Sequence, residues 1–121
     1  MVDSASIPAR RRLGLRVAKA SYDALVLDID GTLLDEQERI HPRTRAALGA
    51  ARAAGVKVML ATGRSNGGAR VVAQDLGLDV PAIVFNGAGV YCPVEDRLIE
   101  TTTLPESMGA ALLAYALHAD L

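Results

Sequence analysis

Three short apolar blocks, "YDALVLDI" from Tyr22, "VKVMLA" from Val56 and "PAIVF" from Pro81, alternate with stretches of helical pattern, and each runs straight into a polar cluster that contains glycine. The blocks are of strand length, rich in Leu, Val and Ile, and lack polar alternation, which suits strands buried on both faces of a parallel sheet. Between the first two blocks, "HPRTRAALGAARAAG" offers Pro42 near a helix start, an alanine-rich body and Gly55 as a stop. Between the second and third, "NGGARVVAQDLG" places Ala69, Val72, Ala73 and Leu76 on one helical face and Gly77 at its end. Strand, helix, strand, helix, strand is the order of an α/β fold with a Rossmann-like parallel sheet, flanking helices and right-handed crossovers.

After Phe85 the pattern changes. "GVYCPVEDRLIETTTL" reads as a hairpin, with Val90 and Tyr91 on one arm and Leu98 and Ile99 on the other. "PESMGAALLAYALHADL" reads as a helix with Pro105 near its first turn and Met108, Leu112 and Tyr115 on one side.

At 121 residues the chain has room for one core, since a domain takes roughly 100–200 residues. Thirteen basic against 14 acidic residues give a formal charge of -1, with no electrostatic footprint for nucleic acid or an anionic membrane. No run approaches the ~18 apolar residues of a membrane span. Cys92 is the only cysteine, which excludes an internal disulfide and a cysteine-rich zinc site and fits a reducing, cytoplasmic setting. Residues 1–20, with five basic residues and one acidic, read as a flexible basic leader outside the fold.

In open α/β sheets, ligands bind beyond the carboxyl ends of the strands. The three strand endings here, "DIDGT", "TGRSNGG" and "NGAG", therefore collect carboxylates, a hydroxyl, an amide and glycine-exposed N–H groups at one sheet edge, a set suited to an anion with a metal beside it. Asp28 and Asp30, two apart on extended chain, project to the same side. Burying both charges unpaired costs several kcal/mol, an expense that a hard cation such as Mg²⁺ offsets by taking oxygen ligands and bridging carboxylate to phosphate. An ionised Asp28 can then attack phosphorus, while a like charge and partial desolvation are expected to raise the proton affinity of Asp30 for acid/base work.

These residues resemble a family, the haloacid dehalogenase-type phosphohydrolases, in its Cof-type or subfamily IIB branch. The resemblance rests on "DIDGTLLD" from Asp28, "LATGR" from Leu60, "FNGA" from Phe85 and the "IHPRT" from Ile40. It implies a phosphatase of small phosphorylated metabolites that works through an aspartyl-phosphate. By that resemblance Asp28 is the nucleophile and Asp30 the general acid/base, and both belong to the Mg²⁺ site, Asp30 through its backbone carbonyl. Thr62 and the Gly63 N–H would hold the phosphoryl group, with Arg64 and Asn86 near the substrate. Residues 21–104 would be a partial core with its hairpin, and 105–121 the start of a cap or a terminal helix.

The sequence departs from the family pattern in two places. The only lysines, Lys19 and Lys57, match no third-motif lysine, and no "GDxxND"-like acidic motif follows. Three readings stay open: the phosphatase, a non-catalytic phosphate-binding remnant, and half of a split enzyme completed by another chain, as a complex or oligomer. His41 reads as a helix cap, His118 and Cys92 as structural, and Asp35 and Glu36 as solvated loop charges.

Overall fold

The computed structural model describes residues 22–121; the expected leader lies outside them. Strand β1 (Ala24–Leu27) leads to helix α1 (Pro42–Ala53), β2 (Lys57–Leu60), α2 (Asn66–Leu76), β3 (Ala82–Val84), the hairpin strands β4 (Gly89–Cys92) and β5 (Arg97–Thr101), and α3 (Glu106–His118). β1 and β2 run parallel with Leu25 opposite Val58. β3 adjoins β2 in parallel through the bridge Ala61–Ile83 and continues antiparallel into β4 and β5, so the strands follow one another in chain order. This is the expected α/β arrangement, with the hairpin extending the sheet on the β3 side.

Local chemistry accounts for the helix ends. Pro42 opens α1, His41 caps it by accepting the Arg43 N–H at Nδ1 (3.1 Å), and the chain leaves through Gly55 at φ 89°. There Val56 N–H donates to Ala51 O (3.1 Å) and Gly55 N–H to Arg52 O (2.9 Å), satisfying carbonyls that a helix end otherwise orphans. Ser65 caps α2 and Gly77 ends it at φ 60°. The last carbonyls of α2 are taken from α1: Arg52 donates to Leu76 O (2.9 Å) and Gly77 O (2.6 Å), a cation at a helix C-terminus.

The core collects Ile29, Leu33, Leu34 and Ile40 from the segment after β1, Val58 and Leu60 from β2, Ala69, Val72 and Ala73 from α2, and Val84 and Tyr91 from the third strand and hairpin. Val58 and Leu60 lie inward while Lys57 stays exposed, the period of two expected of a strand. Cys92 is buried and free.

One expectation about burial needs correction. β1 is not buried on both faces: Leu25 is 36% and Val26 53% exposed. The physical reason is that, among the described residues, β1 pairs with β2 alone. α3 forms as expected, and Met108, Leu112 and Tyr115 on its one side are all exposed.

The hairpin is tied to α2 by a polar chain. The Tyr91 hydroxyl, on a side chain 1% exposed, donates to Asp96 Oδ1 (2.7 Å), and Arg70 Nη1 donates to Asp96 Oδ2 (3.2 Å). Burial, then the Asp96 bond, pushes the Tyr91 phenol from 10.0 up to about 12. Because the folded state holds this proton more tightly than the unfolded chain, its contribution is intact below pH 10.0 and is lost as pH rises towards about 12. Urea midpoints measured across that window are expected to fall in the wild type and to fall less in Tyr91→Phe.

Candidate active site

The motif after β1 is built around one buried residue. Ile29 is fully buried, and its carbonyl accepts the N–H groups of Leu33 (2.9 Å) and Leu34 (3.0 Å), closing a tight turn. Gly31 permits that turn by adopting φ 72°; a Cβ there would meet nothing, so the requirement is conformational. With Ile29 inside, Asp28 and Asp30 on either side are both exposed. The anticipated burial of two carboxylates does not occur.

The loops after β2 and β3 are laced together by backbone. Thr62 N–H donates to Ile83 O (3.0 Å), Asn86 N–H to Thr62 O (3.2 Å) and Phe85 N–H to Arg64 O (2.9 Å). Phe85 and Asn86 both take left-handed backbone, φ 52° and 54°, followed by Gly87 at 97°. Asn tolerates that region, whereas an aromatic residue there is uncommon and marks a constrained loop. The Asn86 side chain lies over Gly63: a Cβ on Gly63 would stand 2.8 Å from Asn86 Oδ1. A side chain at position 63 would have to push the Asn86 amide aside.

A cleft of about 280 Å³ results, lined by Asp28, Ala61, Thr62, Gly63, Ile83, Asn86 and Gly87. Apart from the Tyr91 phenol, Thr62 is the one buried polar side chain among the described residues. Its Oγ1 accepts the Arg64 N–H (3.1 Å), leaving the hydroxyl proton for a ligand. It does not cap α2, since Ser65 has that role. Four of the six expected site residues, Asp28, Thr62, Gly63 and Asn86, thus share one cleft at the strand ends.

Asp30 and Arg64 form a pair beside it. Arg64 donates from Nε to Asp30 Oδ2 (2.9 Å) and from Nη2 to Asp30 Oδ1 (2.6 Å), a two-pronged fork, and Nη2 also reaches Glu38 Oε1 (3.0 Å). The Arg64 hydrogen bond holds the Asp30 carboxyl below its ordinary 3.8, the opposite of the expected rise, because a cation and not a like charge is its nearest neighbour. Arg64 lines a second cleft of about 150 Å³ with Leu34, Glu38, Val71, Val72 and Asp75.

Sequence reasoning missed Glu38. It sits at φ 56° in a turn organised by Asp35, whose Oδ1 accepts the N–H groups of Gln37 (2.9 Å) and Arg39 (2.8 Å). Asp35 is therefore a turn-former, not merely a solvated charge, and those N–H groups draw its pKa down, that of Arg39 foremost. A short acidic residue followed by two possible N–H donors was the available signal.

Among the described residues no group of three or more His, Cys, Asp or Glu side chains could hold a metal ion. Asp28 and the Asp30 carbonyl are hard oxygen donors, and Mg²⁺ commonly takes one or two carboxylates with waters and phosphate oxygens, so the donors present fit that ion chemically.

Comparison with known proteins agrees with this architecture. Residues 25–120 match the haloacid dehalogenase-like hydrolase family. The chain is 32% identical over 97 residues to the Bacillus subtilis 5-amino-6-(5-phospho-D-ribitylamino)uracil phosphatase YwtE, covering 80% of this chain and 33% of that protein. It is 36% identical over 81 residues to the Escherichia coli pyridoxal phosphate phosphatase YbhA, covering 67% and 30%. Among solved structures it resembles the subclass IIB sugar phosphatase BT4131, with a TM-score of 0.64, 33% identity and coverage of 80% and 38%. The chain spans about a third of the length of the curated relatives it matches. Motifs, fold and relatives agree: this chain belongs to the haloacid dehalogenase-like hydrolase family.

Proposed function

We propose that the chain bears the nucleophile of a Mg²⁺-dependent phosphohydrolase of small phosphorylated metabolites, acting in the cytoplasm. The observation that carries this reading is the single cleft in which the Asp28 carboxylate meets the Thr62 hydroxyl and the glycine-bordered loop at Gly63. The relatives named above as phosphatases of a phosphoribityl compound, of pyridoxal phosphate and of sugars share one substrate chemistry, a phosphate group on a small molecule.

In this reading an Asp28 carboxylate oxygen attacks phosphorus, the ester P–O bond breaks, and the leaving oxygen takes a proton as the alcohol departs. Water then attacks the phosphorus of the Asp28 acyl-phosphate, loses a proton to a base, and inorganic phosphate and free Asp28 result. Thr62 and the Gly63 N–H bind and orient the phosphoryl oxygens. Held as a carboxylate by Arg64, Asp30 is poised for the second step, accepting the proton of water; serving as the acid in the first step requires it to gain a proton against that pairing. Asp28 and the Asp30 carbonyl would hold Mg²⁺, which when bound supplies positive charge to phosphoryl oxygens.

The purified protein is expected to release phosphate from a panel of sugar, nucleoside and cofactor monophosphates with Mg²⁺, and to stop when the metal is chelated. Hydrolysis undiminished by chelation would count against it.

One observation favours a second reading, in which another chain completes the site. Lys57, the one lysine among the described residues, stands at the start of β2, away from the cleft beyond its end, and the outer edge of β1 has no strand partner there. Such an edge favours association with further strand. Activity that appears only on adding a second polypeptide would select this reading.

A further inference from the structure

The residue between the two clefts is Arg64, and its surroundings are more fully specified than those of a surface charge. Its aliphatic stem lies on Gly68, in the first turn of α2: a Cβ there would approach Arg64 Cβ and Cδ to 3.2 Å. Its guanidinium donates from Nε and Nη2 to both oxygens of Asp30, and Nη2 also reaches Glu38 Oε1. The side chain is 25% exposed although both acidic partners are mostly in solvent. The backbone of Glu38 is held in the left-handed region by the Asp35 turn. Stem and head are thus both engaged, and the lining of the Asp28–Thr62 cleft does not include Arg64.

We propose that Arg64 is a positioning residue for Asp30 and not a ligand of the phosphate, and that Glu38 and Gly68 form the seat that holds it. A guanidinium fork that grips both carboxylate oxygens fixes the plane and rotamer of Asp30, which a point charge such as lysine cannot do. Glu38 adds a second anchor, accepting from the same Nη2 that holds Asp30 Oδ1. Gly68 leaves the groove in which the stem runs. The proposal deepens the phosphohydrolase reading, on which the importance of Asp30's orientation rests.

The test is the Asp30 side-chain rotamer, read by NMR from three-bond couplings in the labelled protein. A single rotamer is expected in the wild type. In Arg64→Met the minor rotamers should rise at least about threefold in population, the scale expected on losing a partly exposed ion pair. Arg64→Lys should resemble Arg64→Met, Glu38→Gln should lie between, and Glu38→Asp should return towards the wild type. Unchanged couplings in both Arg64→Met and Glu38→Gln would overturn the proposal. A second arm adds inorganic phosphate with Mg²⁺ to the wild type. Arg64 Nε–H should keep its shift while the Gly63 amide moves; displacement of the Nε–H signal as Arg64 leaves Asp30 would overturn the positioning role and make Arg64 an anion ligand. If the Gly63 amide does not move, the phosphate-site reading fails, and the rotamer series still decides whether Arg64 positions Asp30.

Discussion

Asp28→Asn is expected to lower Mg²⁺-dependent phosphate-monoester hydrolysis by at least ~10³-fold, the scale of losing a covalent nucleophile, while leaving the fold intact. The amide matches the carboxylate in shape but has no charged oxygen lone pair to bring to phosphorus. Asp28 is exposed, and among the described residues its side chain makes no hydrogen bond that would be lost, so the far-ultraviolet spectrum and the urea midpoint should stay close to the wild type. Rates with saturating substrate separate the two possible roles. A nucleophile lost shows in kcat; a residue that only helps to bind shows in KM. Retention of more than roughly a tenth of the wild-type rate would contradict the assignment, given effects of the size expected for covalent catalysis.

Ile29→Ala is expected to destabilise the protein by about 2–5 kcal/mol, and Ile29→Val by about 0.5–1.5 kcal/mol. Ile29 has no solvent exposure and packs with Leu33, Leu34 and Ile40 from its own segment and with β2 and α2 residues of the same core. Removing its branches leaves a cavity in a small core, where domains have total stabilities of only about 5–15 kcal/mol. Urea titration with linear extrapolation measures the loss. The same residue separates Asp28 from Asp30, so a looser anchor should also lower the hydrolytic rate in Ile29→Val, where the fold survives. Equal stability of all three proteins would show that the motif does not depend on this anchor.

Much of this was legible in the chain itself. The apolar blocks at Leu25, Val58 and Ile83 announced three strands, and Pro42, Gly55 and Gly77 marked helix ends that the backbone adopts. The convergence of Asp28, Thr62, Gly63 and Asn86 followed from the rule that strand ends gather loops. What failed to follow was burial. An apolar strand such as β1 reads as buried from composition alone, yet burial depends on which partner covers it, and local sequence does not encode that partner. The charge state of Asp30 was misread for a related reason. Its nearest charged neighbour along the chain is Asp28, but its charged partner in space is Arg64, 34 residues away, brought in by the lacing of two loops. Glu38 escaped because its importance lies in a turn geometry, not in a motif.

The account turns on a phosphoryl group carried by Asp28. The most direct measurement is acid quench of the protein during turnover with Mg²⁺ and a phosphate monoester, followed by mass spectrometry of the peptide that contains Asp28. A phosphoryl adduct on Asp28, absent from Asp28→Asn and discharged by hydroxylamine as an acyl-phosphate should be, is the predicted result. Turnover with no adduct on Asp28 at any quench time, or with the adduct on another residue, would contradict it.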